Sequence, residues 1–134
     1  MSDTEQKIQR PLSPHLQVYK LPLTALMSIM HRITGAGLAV GTILVTAFLI
    51  AAAMGEAEYN AVMELASHPI GKVVLFLWSA ALYFHMCNGI RHMFWDIGKN
   101  FTKAGSQRSN FYVLAAALAL TIGTWVCSCT YFVN

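Results

Sequence analysis

The sequence is short of charged residues, which make up only 11% of its 134 residues, whereas 56% are hydrophobic. A soluble domain carries about 25% charged residues. Three stretches contain no Asp, Glu, Lys or Arg: Ile33 to Met54, Val73 to Ile90 and Ser109 to Asn134. Each is about as long as a helix needs to be to cross a hydrocarbon core of roughly 30 Å. The charge deficit therefore predicts an all-α membrane protein in which one domain, 23–134, has three transmembrane helices at about 24–54, 70–97 and 110–132.

Cysteine is scarce, and a leader sequence is not expected. Cys87, Cys127 and Cys129 all fall in predicted spans, where packing explains them better than a disulfide framework does.

The first ten residues are polar and include Asp3 and Glu5. Because signal peptides have an apolar core and transit peptides avoid acids, we expect neither, and a mature bacterial chain is the simplest interpretation.

Acidic residues are fewer than basic ones, and the net charge is +3. This charge does not indicate nucleic-acid binding, because the basic residues gather before the first span and around the connection between spans two and three. Lys and Arg favour the cytoplasmic side of a membrane. We therefore expect a multi-pass protein of the bacterial inner membrane with a cytoplasmic N-terminus and a periplasmic C-terminus. Eight of the nine basic residues belong to these groups: Lys7, Arg10, Lys20 and Arg32 to the first, and Arg91, Lys99, Lys103 and Arg108 to the second. The ninth, Lys72, lies at the far end of the connection between spans one and two.

Three of the four prolines, Pro11, Pro14 and Pro22, lie in the N-terminal segment 1–22 and prevent a continuous helix there. The leucines between them are too apolar for a solvated tail. We expect an extended segment that docks on another surface, either the membrane interface or soluble partner subunits. His15 in this segment is expected to be a contact residue rather than a metal ligand.

The second predicted helix carries a polar stripe. Residues four and seven apart share a helix face, so His85, Gly89 and His92 lie together and Asp96 continues the stripe. An imidazole can bind a metal, and a nearby glycine lets a flat ring approach the backbone. His85 is either an axial haem ligand or a histidine that hydrogen-bonds a neighbouring helix. The residue pattern alone leaves both possibilities open.

A second polar stripe lies in the first predicted helix, where Ser28, His31 and Arg32 share a face with Gly35. A lone arginine in a membrane helix could simply extend its side chain to the membrane–water interface. A hydroxyl, an imidazole and a guanidinium on one face instead indicate a polar pocket within the bundle. His85 lies at a similar depth, so the two stripes should meet. A haem on His85 would turn its propionates towards basic residues at this end: His31, Arg32, Arg91 or His92.

Three segments resemble the cytochrome b membrane-anchor subunit family of succinate dehydrogenase, the larger anchor chain of respiratory complex II. Residues 10–16, Arg-Pro-Leu-Ser-Pro-His-Leu, together with Tyr19 resemble its N-terminal signature. Residues 28–35 resemble its S-x-x-H-R-x-[TS]-G motif, and residues 85–96 resemble its H-x-x-x-G-x-R-H-x-x-x-D motif. The segments occur in the family's order and with its three spans. The resemblance therefore favours the haem interpretation of His85.

The resemblance implies a role for each matched residue, none of them catalytic. His85 would be one axial ligand of the iron of a haem b, and the second ligand would come from the smaller anchor subunit. Ser28 and Arg32 would line the ubiquinone site. The haem propionates would lie beside His31, Arg32 and His92. Asp96 would lie near the quinone entrance or a proton path.

The resemblance also implies partners and a division of labour in electron transport and the tricarboxylic acid cycle. A flavoprotein subunit would oxidise succinate, and an iron–sulfur subunit would pass the electrons to quinone. This chain, with the smaller anchor subunit, would supply attachment to the bilayer, part of the haem site and part of the quinone site. The alternatives are an anchor for a fumarate-reducing, menaquinone-linked relative, a haem-free structural anchor, and a small transporter whose polar cluster binds its substrate.

Overall fold

The computed structural model describes residues 20–100 and 102–132 of the chain. Within them it contains four α-helices: α1 (Leu23–Met54), α2 (Glu56–Ser67), α3 (Pro69–Asp96) and α4 (Lys103–Phe132). Helices α1, α3 and α4 are long and apolar enough to cross a membrane. The predicted all-α membrane class with three spans is therefore confirmed. All but the last three residues of the predicted N-terminal segment 1–22, including His15, lie outside the described residues.

Prolines and glycines set the helix ends. Pro22 has an extended backbone immediately before α1 (φ −68°, ψ 148°), and Pro69 opens α3. The chain turns from α1 into α2 at Gly55, whose φ of 142° is rarely open to residues with a side chain. Gly98, with a φ of 76°, follows the end of α3. Proline starts and glycine stops of this kind are typical of helix boundaries.

Two helix boundaries differ from the sequence prediction. The segment 55–68, expected to be a connection, contains α2, which has Glu56 and Glu58 in its first turn. Their negative charges suit the positive end of the helix dipole. Helix α4 begins at Lys103 rather than at 110. The prediction was based on the apolar run and therefore missed the first two turns of α4, which are polar. At the start of these turns the Thr102 hydroxyl accepts a hydrogen bond from the Gly105 N–H at 3.1 Å.

Helix α3 lies between α1 and α4 and contacts both. On the α4 side, Trp125 donates its indole hydrogen bond to Ser79 at 3.0 Å, and the hydroxyls of Tyr83 and Thr124 are 2.6 Å apart. The starts of α1 and α4 meet the end of α3 at one end of the bundle, which we call the polar end. The positions of α1 and α4 relative to each other are also fixed there, because Asn110 donates a hydrogen bond to Thr24 at 3.1 Å.

The molecule is apolar outside and partly polar inside. Large side chains such as Val40 (66% exposed) and Leu118 (61% exposed) cover its surface, as expected for contact with lipid tails or partner helices. The buried polar side chains need partners inside the protein, because the hydrocarbon core offers them none. They include Asn88, Arg91, Ser109 and Asn110 near the polar end, and Thr121 farther along α4.

Gly41 allows α1 and α3 to approach closely. A Cβ atom at this position would collide with the indole ring of Trp78, whereas a Cβ at Gly37, one turn away, would meet no atom within 4 Å. We therefore predict that Gly41→Ala lowers the thermal stability of the purified complex, with overpacking costing about 1–3 kcal/mol. Gly37→Ala is the matched control and should cost much less. Equal melting temperatures for the two variants would contradict this packing.

Candidate cofactor site

Helices α1 and α3 bring three histidines together near the polar end. The rings of His31 and His85 stack with centroids 3.9 Å apart and an angle of 6° between their planes. The His92 ring lies 5.1 Å from that of His31. The two polar stripes of the sequence therefore meet across the α1–α3 contact.

The orientation of the His85 ring is set by the backbone of α1. Its Nδ1 lies 3.1 Å from the carbonyl oxygen of His31 and 3.3 Å from the hydroxyl of Thr34. Because a carbonyl oxygen only accepts hydrogen bonds, Nδ1 must carry the proton when this bond forms. The lone pair is then on Nε2, which has no hydrogen-bond partner in the described residues and is not enclosed by them. A histidine held in this way is prepared to bind a metal through Nε2.

Two glycines make room at the same contact. A Cβ atom at Gly35 would lie only 2.9 Å from Cε1 of His85, so this ring needs a glycine opposite it on α1. A Cβ at Gly89 would lie 3.9 Å from the His31 ring, which is an ordinary contact. Gly35 therefore allows the two helices to approach each other closely. A side chain has less room at Gly35 than at Gly89, the glycine for which the sequence predicted the approach of a flat ring.

The residues around His85 fit a haem. Nδ1 of His31 is buried without a hydrogen-bond partner in the described part of the chain, so it can donate to a carboxylate such as a haem propionate. His92 beside it can supply a second donor. No group of three or more His, Cys, Asp or Glu in the described residues could hold a metal ion. An axial haem ligand requires only one nitrogen from this chain.

The other predicted site residues lie around this cluster with different exposure. Ser28 is half-buried, whereas Arg32, next to His31, is exposed. Neither side chain takes part in a hydrogen bond or an ion pair in the described segments. Asp96 is the last residue of α3 and is exposed. The hydroxyl and the guanidinium are thus available on the α1 face, at the end of the bundle where Asp96 also lies.

Arg91 does not join the histidines, with which the sequence interpretation had grouped it. It lies about 120° around the α3 axis from His85 and points towards α4. It donates hydrogen bonds from Nε to Ser109 at 2.9 Å, from one Nη to Asn88 at 3.0 Å and from the other to Ser106 at 3.3 Å. The physical reason is the early start of α4, whose first turns bring these serine hydroxyls to α3.

Several polar residues of this region were not identified from the sequence. Thr34 lies three residues after His31, and this spacing was the available signal for its contact with the same pocket. Asn88 follows His85 at the same spacing and is fully buried. The uncharged run 109–134 predicts that Ser109 and Asn110 form the edge of an apolar span, although adjacent buried polar residues in a membrane helix indicate an internal contact.

Comparison with known proteins agrees with this architecture. Residues 6–124 match the model of the succinate dehydrogenase/fumarate reductase transmembrane subunit family. The chain is 37% identical over 128 residues to the succinate dehydrogenase cytochrome b556 subunit of Rickettsia felis, covering 94% of this chain and all of that protein. It is 37% identical over 117 residues to the b556 subunit of Paracoccus denitrificans, covering 87% of this chain and 90% of that protein.

The likeness extends to mitochondrial proteins. The succinate dehydrogenase cytochrome b560 subunit of Bos taurus is 34% identical over 121 residues, covering 87% of this chain and 70% of that protein. The family match includes both the α1 and the α3 polar stripes and reaches into α4. The chain therefore belongs to the succinate dehydrogenase/fumarate reductase transmembrane subunit family, as a cytochrome b anchor subunit of succinate dehydrogenase.

Proposed function

We propose that this chain supplies one axial ligand of a haem b through His85 and part of a ubiquinone site through Ser28 and Arg32. In this way it would contribute to the electron transfer from succinate to quinone that the whole complex performs. The observation that supports the proposal most strongly is the contact between His85 Nδ1 and the His31 carbonyl at 3.1 Å. This contact engages Nδ1 and leaves the lone pair of Nε2 for iron.

The surroundings of His85 suit the two charged propionates of a haem. His31 Nδ1, buried and without a partner in the described residues, would donate a hydrogen bond to one of them. The cation of Arg32 and the ring of His92 would offset their negative charge. A bound haem would supply a one-electron redox centre at this position. The second axial ligand would come from the smaller anchor subunit.

Ser28 and Arg32 can hold a quinone carbonyl on the α1 face. They lie four residues apart and therefore point in similar directions. The Ser28 hydroxyl would donate a hydrogen bond, and the Arg32 guanidinium would stabilise the negative charge that develops as electrons arrive. Quinone reduction also consumes protons. A site near the polar end can take these protons from water, with the exposed Asp96 close to that route.

The chain would have a defined orientation in the membrane and would bind three partner subunits. The polar end would face the cytoplasm, because Lys99, Lys103 and Arg108 follow α3 there. The C-terminus would be periplasmic in a bacterial inner membrane. Flavoprotein and iron–sulfur subunits would bind at the cytoplasmic face, and segment 1–22 would dock on them there. The smaller anchor subunit would cover part of the apolar surface.

The ligand assignment predicts a spectroscopic change. We expect the purified complex to show a b-type signal in its reduced-minus-oxidised spectrum, and His85→Tyr to lose or strongly alter it, because the Nε2 ligand is removed. His68→Gln is the matched control, since His68 lies on the same chain at the opposite end of α3. A wild-type complex without haem, or an unchanged His85→Tyr spectrum, would refute the assignment and favour a haem-free anchor.

The quinone assignment predicts that one of two activities is lost. Ser28→Ala should lower succinate:ubiquinone reductase activity about tenfold, and Arg32→Leu about tenfold to a hundredfold, on the scale of neutral and charge-assisted hydrogen bonds. Succinate oxidation with a soluble dye should persist, because it needs only the partner subunits. Ser128→Ala, an exposed serine near the far end of α4, is the control. Equal loss of both activities would contradict the assignment.

A further inference from the structure

A cavity of about 280 Å³ lies between α3 and α4, on the side of α3 turned away from the histidine cluster. We propose that it binds an anionic phospholipid, with Arg91 facing the phosphate and the acyl chains running along the outer surface of α3 and α4. This pocket is separate from the haem and quinone sites proposed above. Its ligand would be a structural lipid of the complex.

Arg91 brings a buried positive charge to the wall of the cavity. The residue is only 5% exposed, and its three described hydrogen bonds go to two serine hydroxyls and an asparagine amide, all of them neutral. Its guanidinium also lies 4.1 Å from the centre of the Trp95 ring. No carboxylate of the described residues pairs with it, and Asp96 is exposed to solvent. A buried cation without an anion is costly, so an anionic group brought by a ligand would be stabilised here.

The wall of the cavity has a polar part and an apolar part. Arg91, Asn100 and Ser109 line one part of the cavity, and Val113 and Ala116 line another. Ala116 lies two turns beyond Ser109 along α4, about 10 Å deeper into the bundle. The wall therefore changes from polar near the end of the bundle to apolar towards its middle. This order matches an amphiphile whose head group stays at the membrane boundary.

The cavity has an open side at the outer surface of the bundle. Ile90, Phe94 and Tyr112 line it and are 48%, 46% and 73% exposed, so the cavity is bordered by the lipid-facing surface. At about 280 Å³ it lies just below the usual range of small-ligand pockets, roughly 300–1,000 Å³. It would therefore hold a head group and the first part of a chain. Lys99 and Lys103 beyond the end of α3 add positive charge at the head-group level.

The positive charge of Arg91 also distinguishes among the amphiphilic molecules that could occupy the cavity. A quinone has a polar head and an apolar tail, but it is neutral and would leave the Arg91 charge uncompensated. A zwitterionic phospholipid brings an ammonium group together with its phosphate. An anionic phospholipid supplies net negative charge beside the buried guanidinium, and an arginine suits phosphate oxygens well.

The pocket can be tested by the lipid that remains on the complex. The whole complex is purified in detergent, washed extensively, and its phospholipids and quinones are quantified by mass spectrometry. Arg91→Gln removes the charge, and Ala116→Phe fills the apolar part of the cavity while the charge stays. Arg108→Gln is the matched control, because Arg108 is an exposed cation on the same part of α4 and does not line the cavity.

We expect the wild type and Arg108→Gln to retain an anionic phospholipid that both Arg91→Gln and Ala116→Phe lose. If Arg91→Gln fails to assemble, Ala116→Phe decides the question, because its position is exposed and its substitution leaves the polar network in place. Equal retention of anionic phospholipid in wild type and Ala116→Phe would overturn the proposal. It would also be overturned if the lost molecule were a quinone, a zwitterionic lipid or inorganic phosphate.

Discussion

The contact between the His85 imidazole and the α1 backbone is the interaction on which the rest of the site depends. It orders the ring, assigns the proton to Nδ1 and leaves Nε2 for another partner. It requires a glycine at position 35, since any side chain there would press on the ring. At the same crossing the His31 ring stacks on His85, and its Nδ1 is buried without a hydrogen-bond partner in the described residues. One helix crossing therefore determines both where an iron would be held and where an acidic group would be received.

Helix α3 carries two separate sets of polar side chains on two of its sides. The histidines face α1, while Asn88 and Arg91 face α4. The Trp95 ring lies between them, 5.0 Å from the ring centre of His92 and 4.1 Å from the Arg91 guanidinium carbon. Since lipid offers no hydrogen bonds, each side must find its partners within the bundle or in a ligand. The Arg91 network links this side of α3 to the first turns of α4.

Much of this architecture could be predicted from the sequence, because it follows from one strong signal. Uncharged runs of span length predicted the three membrane helices, and the 3.6-residue period placed His31 and His85 on facing stripes. The start of α4 and the existence of α2 could not be found in the same way, since both consist of polar residues. The direction of Arg91 depends on where those polar turns of α4 lie. Side-chain partners across helices, such as Thr34 for His85, require the crossing geometry itself.

We infer that the α1 backbone prepares His85 Nε2 to bind iron. A high-resolution cryo-electron microscopy structure of the complete complex would test it most directly. We expect iron bonded to Nε2 of His85, with Nδ1 of the same ring still donating to the His31 carbonyl. Iron bound to another residue of this chain, or to Nδ1 of a ring turned away from α1, would contradict it.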